Sequence, residues 1–236
     1  MPLEEIINRQ GIIISAPASG AGKTTVTLGL INAFARKGSV QPFKSGPDYI
    51  DSKFQSVAAD RPSYNLDTWA MSSSDILNMI GMVGPSDICI AEGSMGLFDG
   101  VISKGAGGNG STADLASITN WPVILVVDCA KQAQSVAALI TGFNSFRHDI
   151  TIGGVILNNI SSKRHEALVV SEVSKTKVPI LGVVPRSNEL TIPERHLGLV
   201  QAEDLSNLEQ LIFKLGKLIE ENCDLEAIAC TARNSS

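Results

Sequence analysis

The 236-residue sequence contains no basic cluster, no long apolar run and no closely spaced pair of cysteines. Without a basic cluster, and with a formal net charge of −5, it lacks the electrostatic footprint of a nucleic-acid-binding protein. No apolar run approaches the roughly 18 residues that a membrane-spanning helix needs. The first residues, MPLEEIINRQ, contain adjacent glutamates and no apolar stretch typical of a secretory signal. We therefore expect a cytoplasmic protein with neither nucleic-acid nor membrane partners.

Cysteines and charged residues are also few. None of the four cysteines forms a CxxC pair, which argues against a metal or disulfide role, and Cys89 and Cys129 lie in or beside apolar runs where we expect buried thiols. Charged residues make up 18% of the chain and hydrophobic residues 44%, a balance that allows a sizeable core and excludes extensive disorder.

Short apolar, β-branched runs alternate with segments of helical periodicity. The runs predict strands buried on both faces, at residues 12–14, 41–44, 88–90, 123–127, 155–157 and 182–184. Helices are predicted at residues 23–36, 133–143, 165–173 and 205–221. This alternation indicates an α/β fold with three layers, in which a mostly parallel sheet has helices on both faces. The glycine-rich segment 100–112 predicts a flexible loop near the carboxyl ends of the strands.

The stretch APASGAGKTT, residues 16–25, follows the first predicted strand and leads into the first predicted helix. This is the context of a phosphate-binding loop, in which main-chain N–H groups and the helix N-terminus bind phosphates. Pro17 stands where the first glycine of such loops is expected, but that glycine serves mainly the turn out of the strand, so we expect the site to persist. The predicted nucleotide contacts are Ser19, Gly20, Ala21, Gly22, Lys23, Thr24 and Thr25.

Chemistry at the outer phosphate requires Mg²⁺ and oxygen ligands for it. The Thr24 hydroxyl is one candidate ligand, and Glu92 and Asp48 are others because each follows a predicted strand at the carboxyl edge of the sheet. A phosphate loop alone is shared by kinases, GTPases, ATPase motors and ATP-dependent ligases, so these classes remain open at this point.

Further motifs narrow the choice. KSGPDYIDSKFQ, NLDTW, AEGSMGLFDG, STADLA and PERHLGL, together with APASGAGKTT, resemble the synthetase domain of cobyrinic acid a,c-diamide synthases in both order and spacing. The wider relatives resemble dethiobiotin synthetase. The resemblance implies one P-loop synthetase domain over residues 1–236, with its core at about 11–200 and a C-terminal helix and tail at 205–236.

The family activates the a and c carboxylates of a corrin-type tetrapyrrole as acyl phosphates with ATP and Mg²⁺, and ammonia then forms the amides. Carried over to this sequence, the resemblance assigns catalysis to Lys23, Lys44, Asp48 and Glu92, and metal binding to Thr24, Asp48 and Glu92. The resemblance assigns recognition of the adenine base of the nucleotide to Asn158, Pro185 and Arg186, with Asn159 as an alternative donor. The implied substrate residues are Tyr49, Ile50, Asp51, Asn65, Asp67, Ser94, Met95, Gly96, Asp99, Ser111 and Thr112.

The apolar segment 95–98 has two interpretations. It could pack into the core, or it could form the face on which a flat macrocycle lies. We prefer the second interpretation because Glu92 and Asp99 flank the segment.

The resemblance implies that the usual family member is about twice as long as this chain and ends in a glutaminase domain, and we expect no counterpart of that domain within these 236 residues. His196, within PERHLGL, is expected to be a structural or substrate-side residue rather than a glutaminase base. Nitrogen would come from free ammonia or a separate glutaminase subunit, and a homodimer is a further expectation. The alternatives are a regulatory or metal-delivery ATPase paralogue, a synthase acting on nickel sirohydrochlorin, and a dethiobiotin-type ligase.

Overall fold

The computed structural model describes residues 9–187 and 202–233 of the chain. Its strands are β1 (Gly11–Ser15), β2 (Val40–Ser45), β3 (Tyr64–Leu66), β4 (Ile88–Glu92), β5 (Val123–Asp128), β6 (Ile152–Ile160) and β7 (Ile180–Pro185). Its helices are α1 (Lys23–Ala35), α2 (Tyr49–Ala59), α3 (Ser73–Met82), α4 (Thr112–Thr119), α5 (Val136–Phe146), α6 (Lys163–Val173), α7 (Ala202–Asn222) and α8 (Leu225–Arg233). The PERHLGL motif and His196 lie outside the described residues.

The seven strands form one sheet in the order β3-β2-β4-β1-β5-β6-β7, and every neighbouring pair is parallel. All six predicted strands are confirmed. The predicted parallel α/β fold is confirmed as well, because β1 lies near the centre of the sheet and each crossover between parallel strands contains a helix.

Alternate residues of β1 pack on opposite faces of the sheet, as strand geometry requires. Ile13 joins a cluster that contains Leu115 of α4 and Ile140 of α5. Ile12 and Ile14 join a second cluster that includes residues of α1, α7 and α8. The expected three layers are therefore present, with helices covering both faces.

Two predicted helices differ in their bounds. The helix predicted at 133–143 is α5, which begins at Val136 because residues 133–138 first form tight turns, with Val136 N donating to the Ala133 carbonyl at 3.2 Å. The helix predicted at 165–173 is α6, which begins at Lys163 because the Ser162 hydroxyl caps it by accepting from His165 N. The C-terminal helix is confirmed as α7, and α8 follows it where only a tail was expected.

The glycine-rich segment between β4 and α4 forms a loop, as predicted, and main-chain hydrogen bonds organise it; its flexibility remains a prediction. Val101 N donates to the Asn109 carbonyl at 2.9 Å, and Ala106 N and Gly107 N donate to the carbonyls of Trp69 and Thr68. Among the helices of the described residues, none is long and apolar enough to cross a bilayer.

The local packing around two helical glycines predicts opposite effects on stability when each is replaced by alanine. A Cβ on Gly29 of α1 would lie 2.5 Å from Ile219 Cγ1 and 2.8 Å from the Leu215 carbonyl oxygen, whereas a Cβ on Gly142 of α5 has nothing within 4 Å. We expect Gly29→Ala to lower the unfolding free energy by about 1–3 kcal/mol through overpacking. Gly142→Ala should raise it by about 0.4–1 kcal/mol. Urea denaturation measures both, and a stabilising Gly29→Ala would contradict the packing.

Thiol burial predicts selective alkylation. Burial raises the pKa of Cys223 to about 12, and burial together with the nearby Asp128 charge raises the pKa of Cys129 to about 12. At pH 8 only about one thiol in ten thousand would be ionised at either position. We expect iodoacetamide to modify the exposed Cys230 first and the other thiols only on unfolding. Mass spectrometry follows the reaction, with Cys230→Ser as the control, and fast labelling of Cys129 in native protein would refute the prediction.

Candidate active site

The register of three adjacent strands brings the site together. Ile14 of β1 pairs with Glu92 of β4, and Lys44 of β2 pairs with the same Glu92. Because parallel strands end at the same edge of a sheet, the phosphate loop after β1 lies next to both charged residues.

The phosphate loop between β1 and α1 has two glycines in the left-handed region, Gly20 at φ 80° and Gly22 at φ 88°. Glycine adopts this conformation without the steric cost that a Cβ imposes. Gly22 is the N-cap of α1, so no N-cap side chain takes up the first N–H groups of that helix. Such a helix start favours anions through its N–H groups and its partial positive charge. Pro17 precedes this turn, and the neighbouring Ala16 carbonyl accepts from Leu97 N at 2.8 Å.

A buried group of charges lies beside this loop. Lys44 Nζ is 2.7 Å from Asp51 Oδ2 and 3.2 Å from Glu92 Oε1. Glu92 is fully buried, and Lys44 and Asp51 are only 3% and 2% exposed. The Thr24 hydroxyl donates to Glu92 Oε1 at 2.7 Å, which ties the start of α1 to the end of β4. Each of these buried charges therefore has an oppositely charged or hydrogen-bonding partner, as burial demands.

The two lysines of the site have opposite pKa shifts. Burial lowers the pKa of Lys23 below its usual value, and the attraction of Glu92 opposes that effect only in part. Burial also acts to lower the pKa of Lys44, but the charges and hydrogen bonds of Glu92 and Asp51 outweigh it and raise that pKa. Lys44 is therefore held as a cation between two carboxylates.

The donor set at the loop fits Mg²⁺. A hydroxyl oxygen of Thr24 and a carboxylate oxygen of Glu92 are already in contact, and hard oxygen ligands are what this ion prefers. Asp48 stands at the rim of the same cleft, but its Oδ1 accepts from Ile50 N and Asp51 N and thereby caps α2. The three predicted metal ligands thus border one cleft, with Thr24 and Glu92 joined directly.

A cleft of about 1030 Å³ opens over the phosphate loop and the charged cluster. Fifteen predicted site residues line it: Ser19, Gly20, Gly22, Lys23, Thr24, Thr25, Lys44, Asp48, Tyr49, Asp51, Glu92, Ser94, Met95, Asn158 and Pro185. Contacts to nucleotide, metal or substrate at these positions remain predictions.

The remaining predicted residues do not line the cleft: Ala21, Ile50, Asn65, Asp67, Gly96, Asp99, Ser111, Thr112 and Arg186. Several of them brace the cleft walls instead. Asn65 Nδ2 donates to the carbonyls of Gly46 and Asp48 at 2.6 Å and 3.0 Å, and the Thr112 hydroxyl accepts from Ser94 N at 3.1 Å. Asp67 and Asp99 accept from nearby main-chain N–H groups, and Ser111 caps α4. Arg186 lines a neighbouring cavity beyond Pro185.

The residues of segment 95–98 differ in whether they pack in the core or line the cleft. Leu97 is fully buried in the core, and the Phe98 ring stacks on Phe143 with centroids 5.2 Å apart. Met95 alone of the four lines the cleft, where it is 60% exposed at φ 52°. A left-handed backbone at a residue other than glycine is strained, and such strain concentrates at functional sites. Of these four residues only Met95 therefore lines the cleft, and its contact with a substrate remains a prediction.

Asn158, at the end of β6, contacts the phosphate loop directly. Its Nδ2 donates to the Ala21 carbonyl at 3.0 Å, and a Cβ on Gly22 would lie 2.3 Å from the same nitrogen. Glycine at position 22 is thus required both by its backbone angle and by this contact. Asn158 is 7% exposed and lines the cleft together with Asn159.

The sequence reasoning missed several residues of the site. Gln55, the last residue of the KSGPDYIDSKFQ motif, donates from Nε2 to Glu92 Oε2 at 2.7 Å. Its position four residues after Asp51, on the same face of α2, could have indicated it. The cleft also includes Pro47 and Gly93, which lie in the quoted motifs but were assigned no role, and Val184, Ser187 and Leu218, which lie outside those motifs.

Loops of this geometry, preceded by a strand and followed by a helix that opens with lysine and threonine, occur in P-loop nucleotide-binding proteins, and this loop places the chain in that class. Within the class, the chain belongs to the CbiA family, described as the CobQ/CobB/MinD/ParA nucleotide binding domain, which matches residues 12–200.

Similar proteins agree with this family. Curated proteins named hydrogenobyrinate a,c-diamide synthase are 46% identical in Rhodobacter capsulatus, over 94% of this chain and 52% of the relative, and 47% identical in Brucella ovis, over 93% and 50%. The chain therefore spans about half the length of these relatives.

In the MinC:MinD cell division complex of Aquifex aeolicus, the matched chain is 17% identical over 95% of both chains with a TM-score of 0.54. A plasmid partition protein of Borrelia burgdorferi bound to AMPPNP is 12% identical over 88% of this chain and 99% of that protein, with a TM-score of 0.52. At such identities these structures show the fold alone.

Removal of the buried Lys44 ammonium is predicted to lower the unfolding free energy strongly. Lys44→Met would leave Asp51 and Glu92 buried without their shared ammonium, so we expect the unfolding free energy to fall by about 3–5 kcal/mol. Adding Asp51→Asn removes one of the two buried carboxylate charges and should recover part of that loss. Urea denaturation of both single variants and the double variant measures the coupling, and strictly additive effects would contradict the shared ion pair.

Proposed function

We propose that the chain is the ATP-dependent synthetase part of an a,c-diamide synthase and activates carboxylates of a hydrogenobyrinate- or cobyrinate-type tetrapyrrole for amidation. The observation that supports this most is the buried group Thr24–Glu92–Lys44–Asp51, which joins the phosphate loop to the wall where an acceptor carboxylate would lie. The relatives named hydrogenobyrinate a,c-diamide synthase supply the substrate class.

The chemical problem is that a carboxylate is a poor electrophile. Transfer of the γ-phosphoryl group of ATP to its oxygen gives an acyl phosphate, and ammonia then displaces phosphate to form the amide. Catalysis of the first step is mainly positioning and neutralisation of charge on the phosphoryl group. Lys23 and the N–H groups of the phosphate loop would neutralise that charge. Mg²⁺, bound by the oxygens of Thr24 and Glu92 with Asp48 nearby, would add electrostatic stabilisation when present.

Lys44 is suited to bind the carboxylate that accepts the phosphoryl group. Its pKa is raised, so its ammonium stays charged, and it lies at the wall of the cleft between Asp51 and Glu92. A carboxylate that approaches the γ-phosphate would accept a hydrogen bond from this ammonium, and the charge of Lys23 would offset part of the repulsion between the two anions.

The macrocycle would lie at the open side of the cleft. Tyr49 and Met95 are 71% and 60% exposed there, and both are large hydrophobic side chains that line the cleft. A flat conjugated ring can cover such side chains and gain from their burial. Asp51 contributes through Lys44, because its carboxylate is buried against that side chain.

The base of the nucleotide would be read beside Asn158 and Pro185, at the end of the cleft formed by β6 and β7. Nitrogen would come from free ammonia or from a glutaminase, either as a separate subunit or on the portion of the relatives that this chain does not span. Because relatives of the fold include MinD- and ParA-type proteins, a homodimer remains a further proposal.

A direct assay tests the proposal. The protein is incubated with ATP, Mg²⁺, ammonium and either hydrogenobyrinic or cobyrinic acid, and both ADP and the mass of the macrocycle are followed. We expect ADP release that depends on the macrocycle, and products lighter by about 1 Da per amide formed, since –OH is replaced by –NH₂. ADP release that is independent of macrocycle and gives no amide would instead support a regulatory ATPase.

The phosphate loop predicts the effect of one substitution in this assay. Lys23→Ala removes the ammonium that would neutralise the transferring group, and we expect macrocycle-dependent ADP release to fall by about a hundredfold or more. Lys175→Ala is the matched control, because Lys175 follows α6 at the opposite edge of the sheet and is 66% exposed in its side chain. Unchanged turnover in Lys23→Ala would exclude the phosphate loop as the site of the reaction.

A further inference from the structure

We propose that Gln55 is a positioning residue, whose buried amide fixes the Glu92 carboxylate in the orientation that Mg²⁺-dependent nucleotide binding requires. This inference depends on the proposed function in one respect, namely that Glu92 acts at the metal and phosphates. Gln55 itself does not line the cleft.

Both oxygens of Glu92 have partners on different elements. Oε1 accepts from the Thr24 hydroxyl at 2.7 Å and lies 3.2 Å from Lys44 Nζ, so this oxygen faces the phosphate loop. Oε2 accepts from Gln55 Nε2 at 2.7 Å. Rotation about the last side-chain bond of Glu92 would break the bond to Gln55, so the amide holds the carboxylate plane in which the opposite oxygen faces Thr24.

The amide of Gln55 is itself held in place. Its Oε1 accepts from the Ser63 hydroxyl at 2.8 Å, and the side chain is fully buried. Ser63 N in turn donates to the Ser56 hydroxyl at 2.9 Å, which anchors the loop after α2 to that helix. A chain of hydrogen bonds thus runs from this loop through Gln55 to Glu92, and a side chain fixed at both ends can orient its partner.

The neutral charge of Gln55 also matters. Lys44 is shared by Asp51 and Glu92, so these three residues together carry one negative charge. A cationic side chain at position 55 would cancel that charge and weaken attraction for Mg²⁺, while a carboxylate would repel Glu92. An amide donates a hydrogen bond without changing the charge, which suits a residue that orients a metal ligand.

A purely structural role for Gln55 is the competing explanation, and the chain offers a matched comparison. Gln41 of β2 is equally buried, at 1% exposure, but its amide donates to the carbonyls of Pro42 and Pro62 at 3.0 Å and 2.9 Å. Replacing either glutamine by methionine keeps the approximate shape and removes buried hydrogen bonds. Only the change at position 55 removes a bond to Glu92.

The experiment compares Gln55→Met with Gln41→Met and the unmodified protein. A fluorescent ATP analogue is bound at fixed concentration while MgCl₂ is titrated, and Tm is recorded separately. We expect both variants to lower Tm. Gln55→Met should also raise the Mg²⁺ concentration for half-maximal binding about tenfold or more, as losses of partners to metal ligands do, whereas Gln41→Met should leave it unchanged.

Ser63→Ala provides a second variant should Gln55→Met fail to fold. It frees the far end of the Gln55 amide without altering Glu92, so we expect a smaller rise of the Mg²⁺ requirement, about two- to fivefold, in the same direction. An unchanged Mg²⁺ requirement in a folded Gln55→Met, or in Ser63→Ala where only that variant folds, overturns the inference. Absence of Mg²⁺-dependent binding in the unmodified protein would instead count against the proposed function, so the two failures are distinguishable.

Discussion

The site depends on one constraint, which is that the Glu92 carboxylate is buried at the carboxyl end of β4, an inner strand of a parallel sheet. A charge removed from water is tolerated only when nearby groups compensate it. Here the compensation comes from three directions: the Thr24 hydroxyl at the start of α1, the Lys44 ammonium on β2 and the Gln55 amide on α2. The position of each element is therefore tied to the same carboxylate.

Helix α2 has a larger part in this arrangement than its place beside the sheet suggests. Asp48 caps its N-terminus, Asp51 pairs with Lys44 one turn later, and Gln55 reaches Glu92 one turn after that. Residues four apart lie on one face of a helix, so α2 contacts both the Lys44 ammonium, through Asp51, and the Glu92 carboxylate, through Gln55. A shift of α2 would disturb Lys44 and Glu92 together.

Much of the fold was predictable because its physical signals are local. Continuous β-branched runs predicted the strands, and the strand–glycine loop–helix order at residues 11–36 predicted the phosphate loop. Strand order and register were not predictable in this way, because pairing of Glu92 with both Ile14 and Lys44 arises from contacts between segments distant in sequence. The short strand β3 and helices α2 to α4 were not predicted individually, since polar side chains such as Asn65 interrupt their apolar pattern.

The resemblance to a family predicted more of the site than local pattern did, but it did not distinguish contact from support. Lys44, Glu92 and Met95 line the cleft, whereas Asn65, Asp67 and Ser111 bond the main chain of the loops and helices around it. Either requirement can account for a residue of a motif, since a loop that loses its internal hydrogen bonds no longer holds its neighbours in place. Asn158 illustrates the overlap: it lines the cleft where a base would lie, and it also supports the Ala21 carbonyl within the phosphate loop. Assigning roles within such a motif therefore requires the direction of each hydrogen bond as well as the identity of the residue.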